Sequence, residues 1–182
     1  MTHRVATVEA LLRLLDSCAG FYDSLGDDGD PLPVLDHSLQ CAALLAEAFP
    51  DDDELQVAGL VHDVGHRIAP GESARHGVVA ADAVRSLLGE RVAALVELHV
   101  PAKRYLVTID AAYREELSDG SAVSLALQGG VLSHDERAAL ERNPHLRDAT
   151  ALRRCDERAK VPGLDVGGLA RWRPVVERVA QP

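Results

Sequence analysis

At 182 residues, with 47% hydrophobic and 26% charged side chains, the chain is long enough for one sizeable core and short for two ordinary domains, so a single domain over residues 1–182 is expected. A formal net charge of −10 argues against nucleic acid as the main partner, because a phosphate backbone is bound by clustered Lys and Arg; a small-molecule partner is expected instead. No basic start leads into a long apolar segment, and no apolar run approaches the roughly 20 residues of a bilayer span, so the expected setting is cytoplasmic, with no membrane partner.

Ala, Leu and Val dominate while aromatics make up only 3%, a bias toward helices. Cys18, Cys41 and Cys155 are widely spaced and form no CxxC, which fits reduced, packed thiols better than a disulfide frame. In chain order, Val5, Val8, Leu11, Leu12 and Leu15 recur at helical spacing over residues 5–19, and the Gly-, Pro- and Asp-rich stretch 20–33 reads as a loop. A helix follows with Leu39, Ala42, Ala43 and Ala46 on one face, Asp36 being placed to cap it just before His37. The stretch PDDDELQVAGLVHDVGH has acidic residues at the positive end of a helix and an apolar body behind them. PGESARHG is a loop entering another helix near His76, and GERVAALVELHV is a helix expected to end around His99 and Pro101. Further helices are expected at Asp135 to Glu141, at about Leu146 to Lys160, and over GGLARWRPVVERVA; no strand-like alternation or internal repeat is present.

Within LQVAGLVHDVGHRI, an apolar run carries His62, Asp63 and His66. Burying such groups costs several kcal/mol unless each finds a partner, and a metal ion is the leading candidate. On a continuous helix His62 and His66 share a face, and a vicinal His-Asp pair offers an imidazole nitrogen and two carboxylate oxygens, enough to bind one ion and share an oxygen with a second. His37, His76, His99 and Asp156 are further candidates, at helix starts, at helix edges and inside a late helix.

The order His37, His62-Asp63, His76, His99, Asp156 resembles the HD-domain superfamily in its two-metal form. The words DHSLQCA, LVHDVGH, ELHVPAKRYL, LSDGSAVSLALQGG and RRCDERAKVPG narrow the likeness to the mixed-valent di-iron oxygenases of organophosphonate catabolism, over about residues 36–163. That resemblance implies an all-α HD fold with a di-metal site within its helices. It implies two iron ions, Fe(II)/Fe(III): one held by His37, His62, Asp63 and Asp156, the other by Asp63, His76 and His99, with Asp63 bridging. It also implies molecular oxygen as co-substrate and a small organophosphonate whose carbon–phosphorus bond is cleaved oxidatively, leaving a carboxylic acid and phosphate.

By the same resemblance Lys103, Arg153, Ser121 and Ser124 contact the phosphonate and His66 assists. A dianion wants a guanidinium fork, an ammonium and hydroxyl donors, so the chemistry agrees. Gln40 and Gln128 are expected as supporting amides. The sequence departs from the family where a Tyr and a Glu precede the first His ligand, since Asp27 and Asp30 stand there. Asp30 is expected to do a shortened version of the Glu's work, holding an ammonium group; Asp27 cannot imitate a phenol. Two other readings stand beside the oxygenase. One is a metal-dependent phosphohydrolase acting on a nucleotide or phosphate ester through a metal-bound hydroxide, which the same ligands would serve. The other is a non-catalytic HD protein that binds a ligand or partner.

Overall fold

A computed structural model describes residues 4–23 and 32–181; Asp27 and Asp30 lie outside the described residues. Among the described residues there are ten helices and no strand. Helix α1 (Val8–Asp16) is capped by Thr7, whose hydroxyl accepts from the Ala10 amide, and it buries Leu11 and Leu15. Helix α2 (Val34–Ala48) starts earlier than expected: Pro33 holds the cap position and Asp36 lies in the first turn, where its charge favours the helix dipole without capping it. The Val34 amide is bonded to the Phe21 carbonyl at 2.8 Å, which ties this start to the segment that follows α1.

Helix α3 (Asp53–Val61) is capped by Asp52, and the chain breaks at His62-Asp63 before the short α4 (Val64–Ile68). The single helix expected through LVHDVGH is therefore two, with Asp63 at φ −103° and ψ 3° between them. Helix α5 (His76–Ile109) contains a non-helical Gly89 at φ 84°, a conformation that glycine takes without steric cost. Its second half runs on through Pro101 instead of ending there. Burial of Ala102, Lys103, Leu106 and Val107 beyond the proline outweighs the one hydrogen bond that proline removes.

The remaining helices are α6 (Ala111–Glu115), α7 (Asp119–Leu127), α8 (His134–Leu140), α9 (Leu146–Arg158) and α10 (Leu169–Val179). Helix α8 carries a capping box of Ser133 and Glu136.

Helices α2, α3, α5 and α9 pack on one another, α4 lies against α5, and α10 closes over α3 and α1. The main apolar cluster draws on residues from Val5 to Val179, and Leu45, Leu55, Leu60, Leu88, Leu95 and Leu152 are fully buried within it. Each such side chain contributes about 1.5–3 kcal/mol relative to exposure. Cys18, Cys41 and Cys155 are buried and unbridged, as expected of packed thiols. Arg91 knits three elements by donating to Asp52 at 2.7 Å, Glu54 at 3.0 Å and Asp148 at 2.9 Å. Gly65 lets α4 meet the start of α5: a Cβ there would lie 1.9 Å from the His76 carbonyl oxygen, inside any possible contact.

Candidate metal centre and anion pocket

His37 comes from α2, His62 from the end of α3, and His76 and His99 from the two halves of α5; all four are buried. Each Nδ1 faces a backbone carbonyl: Ala159 at 2.8 Å, Gly59 at 2.8 Å, Ser73 at 2.6 Å and Val96 at 2.6 Å respectively. A carbonyl only accepts, so the proton sits on each Nδ1 and each Nε2 presents a lone pair to the interior. The Nε2 atoms converge in pairs, His37 with His62 at 3.2 Å and His76 with His99 at 2.7 Å. Facing lone pairs at these distances repel unless positive charge stands between them.

Asp63 stands between the two pairs because of the break after α3. Its Oδ2 is 3.1 Å from His62 Nε2 and 3.4 Å from His37 Nε2, while its Oδ1 is 3.2 Å from His76 Nε2 and 3.7 Å from His99 Nε2. Asp156 from α9 adds a second carboxylate to the first pair, 3.2 Å from His37 Nε2 and 3.8 Å from His62 Nε2. Two donor groups thus share one residue: His37, His62 and Asp63, with Asp156 adjoining, and Asp63, His76 and His99. Buried imidazoles and carboxylates that are all acceptors are a donor set suited to two borderline divalent or trivalent cations, and no thiol takes part.

The titration behaviour agrees with a site that draws positive charge. Burial would raise the Asp63 carboxyl, yet His62 and His76 hold it well below the ordinary range. Asp156 is likewise held down against its burial by Arg153 and His62. Burial pushes His62 down, but Asp63 and Asp156 outweigh it and leave its affinity for a proton raised. His99, away from that balance, is driven well below its ordinary value by burial and by His76.

His66 lies on α4, beyond the break that follows His62. Its ring stacks on His76 at 4.0 Å, with Nε2 3.9 Å from Asp63 and 4.0 Å from Asp23. Burial and the nearby His76 push its pKa to about 3, so it is neutral.

A cavity of about 110 Å³ adjoins the second group, and its lining brings Lys103, Arg153 and Lys160 together with Asp63, His76, His99 and Asp156. Lys103 donates to Ser124 Oγ at 2.8 Å, and burial together with Arg153 brings its pKa down to about 7. Arg153 donates to Tyr113 at 2.8 Å and Ser121 at 3.0 Å and pairs with Asp156 and Glu157. Helix α7 supplies Ser121 and Ser124, so the two serines implied by the resemblance line the cavity from an element whose short mix of apolar and small polar residues shows no helical periodicity.

Gln128 also lines the cavity, and its buried Oε1 has no hydrogen-bond partner. Gln40 lies behind the first histidine pair and bonds both backbone groups of Val161, at 2.8 and 3.1 Å. It thereby secures the chain just after the Ala159 carbonyl that orients His37. Sequence reasoning missed Tyr113, Glu157 and Lys160. Glu157 was findable, since Arg153, Asp156 and Glu157 follow the i, i+3, i+4 pattern of one helix face; Lys160 lies two residues past the end of α9.

A helical bundle whose buried His, His-Asp and Asp side chains converge in this order defines a metal-binding protein of the HD class. The HD domain family model matches residues 34–156, and the chain belongs to that family. It is 35% identical to a hydroxymethylphosphonate dioxygenase of Gimesia maris, over 93% of this chain and 86% of the relative. It is 30% identical to a [1-hydroxy-2-(trimethylamino)ethyl]phosphonate dioxygenase (glycine-betaine-forming) of Leisingera caerulea, over 91% of this chain and 90% of the relative. Within the HD family the chain is thus an enzyme of the oxidoreductase class, related to phosphonate dioxygenases. No helix among the described residues is long and apolar enough to cross a membrane.

Proposed function

We propose that the chain is a single-domain, mixed-valent di-iron oxygenase that cleaves the carbon–phosphorus bond of a small alpha-hydroxyphosphonate. The products are a carboxylic acid and inorganic phosphate, and one molecule of oxygen accounts for both added oxygen atoms. The observation that carries this reading is the division of the two Asp63 oxygens between two histidine pairs, beside a cavity whose lining includes Lys103, Arg153 and Lys160.

His37, His62, Asp63 and Asp156 would hold one iron, and Asp63, His76 and His99 the other. Bound as an Fe(II)/Fe(III) pair, they supply the redox chemistry with oxygen that breaks the carbon–hydrogen bond next to phosphorus. The protein's own part is electrostatic and steric. Lys103 and Arg153, with Lys160 behind them, would hold the phosphonate, while Ser121 and Ser124 fix the directions of those cations by accepting from them. Neutral His66, stacked on His76, offers an uncharged hydrogen-bond partner at the rim of the metal group.

A cavity of about 110 Å³ favours a substrate of a few heavy atoms beyond the phosphonate over a nucleotide, since ordinary ligand pockets run from about 300 Å³ upward. The test is metal analysis with low-temperature EPR on iron-loaded protein, combined with oxygen uptake and phosphate release on alpha-hydroxyphosphonates. Two irons per chain, a mixed-valent signal that one phosphonate perturbs, and oxygen uptake matched by phosphate are expected. Phosphate release from esters without oxygen uptake would replace this reading with a phosphohydrolase.

A further inference from the structure

The cations of the pocket already hold an anion. Glu157, one residue after Asp156 on α9 and with its side chain only 7% exposed, takes the Ser121 hydroxyl at 2.7 Å and pairs with Arg153 through Oε2; its Oε1 takes the Ser118 amide at 2.7 Å. Lys160 Nζ, 3.9 Å from Glu157, donates to Ser118 Oγ at 2.8 Å and Ser121 Oγ at 2.9 Å. Ser121 has one proton, given to Glu157, and its oxygen accepts from both Arg153 and Lys160. A carboxylate thus sits among donors of the kind that a phosphonate oxygen would seek.

We propose that Glu157 is a positioning and selectivity residue: an internal anion that occupies Arg153, Lys160 and Ser121, so that an incoming oxyanion must compete with it for them. This rests on the anion-binding side of the function proposed above. A monoanionic carboxylate replaces Glu157 like for like and leaves a buried charge unpaired, so the exchange gains nothing. A tetrahedral dianion brings more charge and a third oxygen, can engage Lys103 at the same time, and so overcomes the competition. The Ser118 amide keeps Glu157 anchored meanwhile, and with it the start of α7 over the cavity.

The test is calorimetric binding of inorganic phosphate and of acetate to metal-loaded protein, for wild type and for Glu157→Gln. The amide of Gln still accepts from Ser118 but carries no charge to hold the cations. Wild type is expected to take phosphate and largely refuse acetate. In Glu157→Gln acetate should bind about tenfold more tightly, the worth of one charge-assisted bond, with a smaller gain for phosphate and a lower phosphate-to-acetate preference. A merely structural role predicts the opposite, weaker binding of both anions, and that result or an unchanged preference overturns the proposal while leaving the oxygenase reading intact. Wild type that binds neither anion would overturn the anion pocket itself. Should Glu157→Gln not fold, Glu157→Asp, which draws the charge back by one methylene, is expected to give a smaller gain for acetate; no gain there overturns the proposal equally.

Discussion

Asp63 is the residue shared by both halves of the candidate metal centre, and its position follows from local backbone more than from side-chain chemistry. The break after α3 falls at Asp63, which stands between two histidine pairs, and His66 on the short helix that follows stacks on His76. Gly65 permits that geometry. Gly65→Ala would drive a methyl group into the His76 carbonyl, and a loss of about 1–3 kcal/mol in stability is expected, with weakened metal retention, measurable by thermal unfolding and metal analysis. Lys103 provides a pH-dependent test of the anion side. Burial and Arg153 bring it to about 7, so it is charged below that pH and neutral above it. KM for a phosphonate should therefore rise as pH climbs past neutrality. Lys103→Arg, charged throughout, should flatten that limb, and a wild-type profile that stays level there would remove Lys103 from phosphonate binding.

At the scale of elements, the helices with clear caps or apolar periodicity were legible, and those held by tertiary contacts were not. The acidic start of α3 and the α8 capping box are written locally. Helix α7 is not: of its residues only Ser121 is buried, and among its apolar side chains Leu125 packs on the small cluster of Leu106, Val107 and Tyr113. Its remaining attachments are polar, through Ser118, Ser121 and Ser124 to Glu157, Lys160 and Lys103. Pro101 misled for a related reason, since a residue's helix propensity is overridden when the turns on either side of it are buried. Arg91 is the element-scale joint whose removal has a predictable pH signature. Hydrogen bonding to Arg91 holds Asp52 below its ordinary 3.8, so the pair contributes stability above that pH and loses it as pH falls through the lower folded value. Arg91→Ala should cost about 1 kcal/mol near neutrality and make the acid limb of a stability-pH curve shallower below about pH 4. An acid limb identical to wild type would assign the acid sensitivity to other carboxylates.

For the whole molecule, the cost of assembling the centre should appear as dependence on metal. Four imidazole lone pairs and two carboxylates are brought together in the interior, an arrangement whose repulsion a bound cation relieves. Removing metal with a chelator should lower Tm by about 10 °C, the shift expected when a ligand at about a thousand times its Kd is withdrawn from a chain of this size. Restoring Fe(II) should recover it, and a Tm indifferent to chelation would mean that the histidine pairs are stable without a cation.

The sequence by itself determined the helical class, the HD membership and the identity and order of the buried His and Asp residues that converge at the candidate metal centre. Those depend on residue type and on spacing along the chain, and His37, His62-Asp63, His76, His99 and Asp156 carry both. Only the tertiary structure decided that a helix break sets Asp63 between the two pairs, that the serines stand on a helix of their own, α7, and that Glu157 shares the cations with Ser121. Each of those depends on how α2, α4, α5, α7 and α9 approach one another, and the side chains concerned are brought together across as many as 122 positions of sequence, as in the contact of His37 with Ala159. Hydrogen bonds and burial act on separation in space, and the packed core sets that separation.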